Sequence, residues 1–308
     1  MSPKNSTPPA APDPATVQQL IRYGARRFEA ARLWFGHGSD NAADEAAELV
    51  LFGAGLRHAD APGIYATRLS AQQRATVLAL FERRIGERIP AAYLTHRMWF
   101  AGLEFYCDER VLVPRSPLAE LIEARFEPWI DAARIRTVLD IGTGSGCIAI
   151  ATALALPDAQ VDAADISAAA VAVTRMNIER HKVAPRVRAE QSDVYTGLTK
   201  RTYDVIVTNP PYVGDVEMQG LPDEYHREPA LGLRGGADGL DIVRRILRGA
   251  LDHLREGGIL IVEVGNSEDA LVAAFPRVPF TWLEFARGGG GVFLLTYVQL
   301  QEHRAELR

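Results

Sequence analysis

The chain has 308 residues, 47% hydrophobic and 24% charged, with a formal net charge of -5. That is ordinary globular composition with length for a full α/β core and a smaller domain, and the acidic balance argues against tight binding to bare duplex DNA through its phosphates. Two cysteines, Cys107 and Cys147, without metal-ligand spacing argue against a disulfide framework or a metal centre.

Residues 1–14 are rich in proline and alanine and lack the apolar run of a signal peptide, so a loose N-terminus is expected. No run of about 18 apolar residues occurs anywhere, and a cytoplasmic protein without membrane segments is the simple reading. From Ala15 to Arg88 apolar residues recur at helical spacing, as in Ala43-Ala46-Ala47-Val50-Leu51 and Val77-Leu78-Leu80-Phe81-Ile85, which predicts a small helical domain over 15–97. Ser70 with Gln73 three positions later forms a candidate capping box for a helix running to Ile85, and Pro90 stops it. Residues 98–116 are aromatic and β-branched with a polar break at Asp108-Glu109-Arg110, read as the tip of a linking β-hairpin.

Beyond Pro117, over 117–308, strands alternate with helices, the pattern of a mostly parallel, helix-covered α/β sheet. Strands are predicted at 137–140, 160–165, 187–193, 204–208 and 259–264, with helices at 147–156, 168–182 and 238–254. Two last strands, near Trp282 to Ala286 and Val292 to Val298, flank Gly288-Gly289-Gly290-Gly291, so an antiparallel pair should close the sheet.

The first of these strands ends in Asp140-Ile141-Gly142-Thr143-Gly144-Ser145-Gly146 before a helix, a loop whose backbone can approach a ligand and aim amides at it. Cys147 stands where the dinucleotide fingerprint wants its third glycine, so the pyrophosphate-binding version is poorly matched. The spacing instead resembles the first motif of class I S-adenosylmethionine-dependent methyltransferases. That resemblance implies a Rossmann-like, mostly parallel seven-stranded sheet and S-adenosyl-L-methionine as cofactor, with Asp140, Gly142, Thr143, Gly144 and Gly146 cradling it. Asp165, followed by Ile166, and Asp193 end the next two strands, and with Asn209 they should line one crevice outside the carboxyl ends of the sheet. By resemblance, Asp165 takes the ribose hydroxyls, and Asp193 or its neighbour the adenine amine.

Asn209-Pro210-Pro211-Tyr212 follows the apolar strand Tyr203 to Thr208. Two prolines fix φ and donate no backbone hydrogen bond, so the segment is stiff and presents one amide and one phenol in a set geometry. That suits methyl transfer to a planar nitrogen, whose lone pair must be turned toward the methyl group. The Asn209 side-chain oxygen and the Pro210 carbonyl can take the two N–H bonds while Tyr212 stacks on the flat acceptor, and positioning supplies the catalysis. The tetrapeptide resembles that of methyltransferases acting on adenine, cytosine or glutamine nitrogen.

The flanking sequence narrows this. Gly220-Leu221-Pro222-Asp223-Glu224-Tyr225-His226-Arg227-Glu228-Pro229, Arg88-Ile89-Pro90-Ala91-Ala92-Tyr93-Leu94 and Val111-Leu112-Val113-Pro114-Arg115-Ser116-Pro117 look like the protein-glutamine branch. Within it, Phe105 to Arg110, Arg115-Ser116-Pro117 and Leu221 to Tyr225 resemble the glutamine N(5)-methyltransferases of large-subunit ribosomal protein three more than those of release factors. The implied partner is that ribosomal protein, free or on an assembly intermediate, with the helical domain recognising it. A release-factor enzyme, a DNA adenine methyltransferase and a non-enzymatic assembly factor are the alternatives.

Other residues carry lighter expectations. Glu228 and Pro229, with Arg227, are candidates for shaping the acceptor channel by family analogy, and Arg115 for touching substrate or the cofactor's carboxylate. Arg227 reads equally as a solvated loop residue, His181 and His226 as surface residues, Arg83, Arg84 and Arg88 as a solvated helical face by default or a contact to ribosomal RNA or an acidic partner, and Cys107 as a packing difference without a thiol role.

Overall fold

The computed structural model describes residues 11–13, 15–57 and 63–308, so most of the expected loose N-terminus, 1–14, lies outside the described residues. The chain divides into two units: the first comprises Met1–His96 with Pro222–Arg227, the second Arg97–Leu221 with Glu228–Arg308.

The first unit is helical: α1 (Val17–Ala30), α2 (Ala42–Ala54), α3 (Ala71–Glu87) and α4 (Ala91–Thr95). Each long helix starts on a side-chain cap that satisfies otherwise orphaned amides: Thr16 and Ser70 in reciprocal boxes with Gln19 and Gln73, and Asn41 by accepting from Ala43 and Asp44. The Ser70 box is the one read from sequence. α3 runs to Glu87, ends on Arg88 in the left-handed region, and Pro90 then caps α4. Val17, Leu20, Phe28, Leu49, Val50, Val77 and Phe81 are fully buried together. Gly24 lets the helices close, since a Cβ there would sit 2.4 Å from the Phe81 ring.

At the polar heart of this unit Arg84 is wholly buried. Its guanidinium donates to Glu45 at 2.6 Å, to Glu224 at 3.2 Å and to the Trp34 carbonyl at 2.9 Å. Arg88 donates to the carbonyls of Arg32 and Ala31 and to Glu224. The expected solvated basic face is therefore wrong for these two arginines. Buried carboxylates from α2 and from Pro222–Arg227 need cations, and helical spacing alone does not reveal them. Arg83 does face solvent, paired with Glu87.

The second unit opens with a hairpin, β1 (Met98–Phe100) and β2 (Leu103–Phe105), in which Phe100 pairs with Leu103. Its tip is Ala101-Gly102, both at positive φ, 49° and 73°, and not the Asp108-Glu109-Arg110 break expected from polarity. The Asp108 carboxylate instead ties its own loop, accepting from the Arg110 amide and guanidinium and from the Tyr106 hydroxyl.

After α5 (Leu118–Glu123) come β3 (Thr137–Ile141), α6 (Cys147–Ala155), β4 (Gln160–Asp165), α7 (Ala168–Arg180), β5 (Val187–Gln191), β6 (Tyr203–Thr208), α8 (Asp215–Met218), α9 (Ala230–Leu233) and α10 (Asp241–His253). β7 (Leu254–Glu263), α11 (Glu268–Ala274), β8 (Thr281–Trp282), β9 (Val292–Thr296) and α12 (Tyr297–Glu302) follow. One seven-stranded sheet has the order β5-β4-β3-β6-β7-β9-β8. Strands β3 to β7 are parallel, and β9 runs antiparallel to both β7 and β8. Val205, Ile206, Val207, Leu260, Ile261 and Val262 are completely buried, as central parallel strands covered on both faces require.

The closing antiparallel pair is present, but β8 is shorter than expected. The amides of Ala286 and Arg287 donate to the Glu120 carboxylate instead of to a ladder, and the Gly291 carbonyl accepts from Val264 and Gly265 at the end of β7. The glycine run thus docks on β7 and is not a tight turn. The strand order reverses between β3 and β6, so the topological switch point lies beyond Ile141 and Thr208, where this class of sheet holds ligands.

Candidate active site

The two motifs meet at that switch point. Gly142, at φ 71°, lies so close to the tetrapeptide that a Cβ there would be 3.8 Å from the Asn209 carbonyl oxygen and 3.9 Å from Pro210 Cα. The amides of Gly142 and Thr143 donate to the Ala164 carbonyl at 2.8 and 3.0 Å, folding the loop over the end of β4. Gly146 enters α6 at φ 83°, and a Cβ there would meet Thr174 Cγ2 at 2.8 Å.

Asp140 is fully buried beneath this loop. One carboxylate oxygen accepts from Thr143 Oγ1 at 2.6 Å and from the Ala149 amide at 3.1 Å, while Oδ1 has no protein partner. Burial pushes its pKa up to about 7, opposed by those two donors and reinforced by the charge of Asp165. An orphaned, buried acceptor of this kind calls for a donor or cation from a ligand. Asp165 is half-buried and accepts from the amides of Ser167, at 2.8 Å, and Gly144, at 2.9 Å, leaving a second lone pair on each oxygen. Burial raises its pKa against those two bonds. Ile166 beside it is 46% exposed, an apolar surface suited to one face of a flat ring. Asp193 is placed differently: its carboxylate pairs with Arg245 of α10 at 2.7 Å.

On the other wall, Tyr212 is held at both ends. Its hydroxyl donates to Glu263 Oε1 at 3.2 Å, and its carbonyl accepts from Ser267 Oγ at 2.8 Å. Its ring packs on the Gly265 backbone, where a Cβ would be 2.5 Å from the ring edge. Glu263, the last residue of β7, is 4% exposed, and its Oε2 accepts from Ser116 Oγ at 2.5 Å. Burial raises its pKa to about 7, against the hydrogen bonds of Ser116 and Tyr212 and the charge of Arg115. Sequence reading missed this residue. The available signal was a lone acid in the apolar run Ile259-Leu260-Ile261-Val262-Glu263-Val264 immediately before a glycine.

Glu228 is also buried, and it accepts from the Val113 amide and from both terminal nitrogens of Arg115, at 2.8 and 2.7 Å. The pair anchors the segment before α5 to the segment after the tetrapeptide, so Arg115 is engaged by protein in this structure. Arg227 and His226 are exposed as expected. His181 is not a free surface residue: it is half-buried, packs on Phe105 at 4.7 Å and contacts the Glu104 carbonyl, and burial lowers its pKa. Cys107 and Cys147 are free and buried, with burial pushing both thiols up, Cys147 to about 12, which makes them poor nucleophiles. Among the described residues no helix is long and apolar enough to cross a membrane.

A family model described as the methyltransferase small domain matches residues 126–221. The ribosomal protein uL3 glutamine methyltransferase of Xanthomonas campestris pv. campestris is 51% identical, over 98% of this chain and 97% of its own. That of Xylella fastidiosa is 52% identical, over 96% and 95%. Among solved structures, a methyltransferase from Pyrococcus furiosus aligns with 64% of this chain and 89% of its own, at 22% identity and a TM-score of 0.45. At half-identity over nearly the whole of both chains, and with a glycine loop facing an Asn-Pro-Pro-Tyr turn at the switch point of a seven-stranded sheet, this chain belongs to the family of ribosomal protein uL3 glutamine methyltransferases.

Proposed function

We propose that this methyltransferase transfers a methyl group from S-adenosyl-L-methionine to the side-chain amide nitrogen of a glutamine in ribosomal protein uL3, in the cytoplasm. The observation that carries the chemistry is the approach of Gly142 to the Asn209 carbonyl and Pro210, which sets the cofactor loop against the acceptor clamp. The names of relatives at 51–52% identity support the substrate.

The residues present fit the cofactor. Asp140 offers an orphaned carboxylate oxygen, Asp165 free lone pairs for hydroxyl donors, and Ile166 an exposed apolar face. Gly142, Gly144 and Gly146, all at positive φ, keep side chains out of the way, and Thr143 braces Asp140. Asp193 has the weaker claim, because Arg245 takes its charge; a role there falls to the backbone around it. When bound, S-adenosyl-L-methionine supplies an electrophilic methyl group on a sulfonium.

The chain supplies the rest. The Asn209 side-chain oxygen and the Pro210 carbonyl accept the two N–H bonds of the substrate amide, turning its nitrogen lone pair toward the methyl group. Pro211 stiffens the turn, and Tyr212 stacks on the flat amide. Positive charge developing on nitrogen is met by acceptors already in place, so positioning and fixed dipoles supply the acceleration. No strong base is needed beforehand, because the N–H becomes acidic as the new bond forms. The helical unit, residues 15–97, recognises the protein substrate in this scheme.

The test is transfer of labelled methyl from S-adenosyl-L-methionine to unmodified uL3, unmodified release factor and unmethylated DNA side by side, with the modified residue mapped by mass spectrometry. Label on a glutamine of uL3 alone is the expected result. Label on the release factor alone would overturn the substrate assignment, and label on neither protein would overturn the activity.

A further inference from the structure

Glu263 lies outside the clamp, on a different strand, yet its carboxylate touches the clamp and little else. Its two oxygens are divided: Oε1 accepts from the Tyr212 hydroxyl and Oε2 from Ser116 Oγ. Gly265, two residues on, leaves the space that the Tyr212 ring fills, so the end of β7 shapes both the hydroxyl and the ring of the tyrosine.

We propose that Glu263 is the positioning residue of the clamp: by accepting from the Tyr212 hydroxyl, it fixes the plane of the ring that stacks on the substrate amide. This rests on the clamp reading of Asn-Pro-Pro-Tyr above. Ser116 fixes the carboxylate, so the segment Arg115-Ser116-Pro117 acts on the chemistry through Glu263. The charged group near the carboxylate is Arg115, which itself pairs with Glu228. The ionised carboxylate accepts from the Tyr212 and Ser116 hydroxyls at once. A protonated one must donate from one oxygen, which sets it against one of those two hydroxyls.

Glu263→Gln tests this, because it keeps the shape while adding a donor where only acceptors serve. Expected is a fall in kcat of roughly 100-fold, the scale of a displaced reacting group. KM for uL3 and the affinity for S-adenosyl-L-methionine stay within about threefold, a margin well inside one decade. The wild-type rate rises as pH passes through about 7, where the carboxylate ionises, and the variant loses that limb. Tyr212→Phe removes only the hydroxyl, and the double variant Tyr212→Phe with Glu263→Gln closes a cycle. A double loss no larger than that of Glu263→Gln alone supports the proposal, whereas losses that multiply overturn it. So does a Glu263→Gln enzyme with wild-type kcat, or one whose loss is all in cofactor affinity. If Glu263→Gln fails to fold, Tyr212→Phe decides: loss of the pH limb supports the carboxylate acting through the tyrosine, and an unchanged profile overturns it. Asn209→Ala runs alongside as the control on the clamp: full activity there refutes the clamp reading itself, a result distinct from any failure at Glu263.

Discussion

Asp140→Asn should make the cofactor-free protein more stable and the cofactor-bound protein worse. The carboxyl pKa rises from 3.8 to about 7 on folding. At about 1.4 kcal/mol per pH unit, this places roughly 4 kcal/mol of destabilisation on the folded state once the carboxylate is ionised. The sign follows from proton counts. Between pH 4 and 7 the unfolded Asp140 has lost its proton and the folded one has kept it, so stability falls as pH rises, and above about 7 the penalty is constant. Glu263, raised from 4.5 to about 7, adds a second proton in the same window. The two together give a slope of about 2.7 kcal/mol per pH unit, and the asparagine variant keeps half of it. Asparagine can still accept from Thr143 Oγ1 and the Ala149 amide, but it places an NH2 where Oδ1 has no partner, at a cost of about 1–3 kcal/mol. The net expectation at pH 8 is a gain of about 1–3 kcal/mol, several degrees in melting temperature. Added S-adenosyl-L-methionine should then raise the melting temperature of the wild type and scarcely move that of the variant. Scanning calorimetry from pH 5 to 9, with and without cofactor, reads both effects. A variant less stable than wild type at pH 8, or one with an undiminished cofactor-induced shift, would refute the reasoning.

Asp165→Ala should weaken cofactor binding tenfold or more, at about 1.4 kcal/mol per decade, and titration calorimetry showing unchanged affinity would remove Asp165 from the site. Arg84→Ala removes the cation from Glu45 and one of the two paired with Glu224 in the interior of the helical unit, and should lower its stability by about 3–5 kcal/mol by thermal denaturation. In the wild type, burial pushes Glu224 up but the Trp34 amide and Arg84 outweigh it and hold its pKa low. Its share of stability is therefore present above the ordinary glutamate pKa and is lost as pH falls through the depressed value. Asn209→Ala should reduce methyl transfer by about 10²–10³, the effect of one lost preorganised polar group, with cofactor affinity unchanged in the same calorimeter.

How much of this was legible in the sequence depended on whether the signal was local. The central parallel strands could be read because each is a short apolar run whose core neighbours are also apolar, as Val205-Ile206-Val207 and Leu260-Ile261-Val262 show. The glycine loop and Asn-Pro-Pro-Tyr could be read because backbone constraint is written in residue type. The hairpin tip was missed although Gly102 marks it, because Ala101 beside it also takes a positive φ, uncommon for a residue with a Cβ, while the more turn-like polar residues Asp108 to Arg110 satisfy one another elsewhere. The return of Pro222–Arg227 to the helical unit depends on Glu224 meeting Arg84 and Arg88 far away in the chain, a pairing with no local trace.

The same reasoning separates the carboxylates. Asp140, Asp165 and Asp193 all end strands, and strand-end position alone ranks them equally. What divides them is what the fold does with each charge: it leaves Asp140 Oδ1 without a partner, keeps lone pairs of Asp165 free, and neutralises Asp193 with Arg245. Glu263 differs from all three, since every protein donor it takes belongs to the clamp or to the segment bracing it. A buried acid that serves only stability is best matched by a cation, as Glu45 and Glu224 are by Arg84. One matched by a serine and a tyrosine is held by weaker partners, and in the proposed clamp its burial sits where it fixes the orientation of the Tyr212 ring.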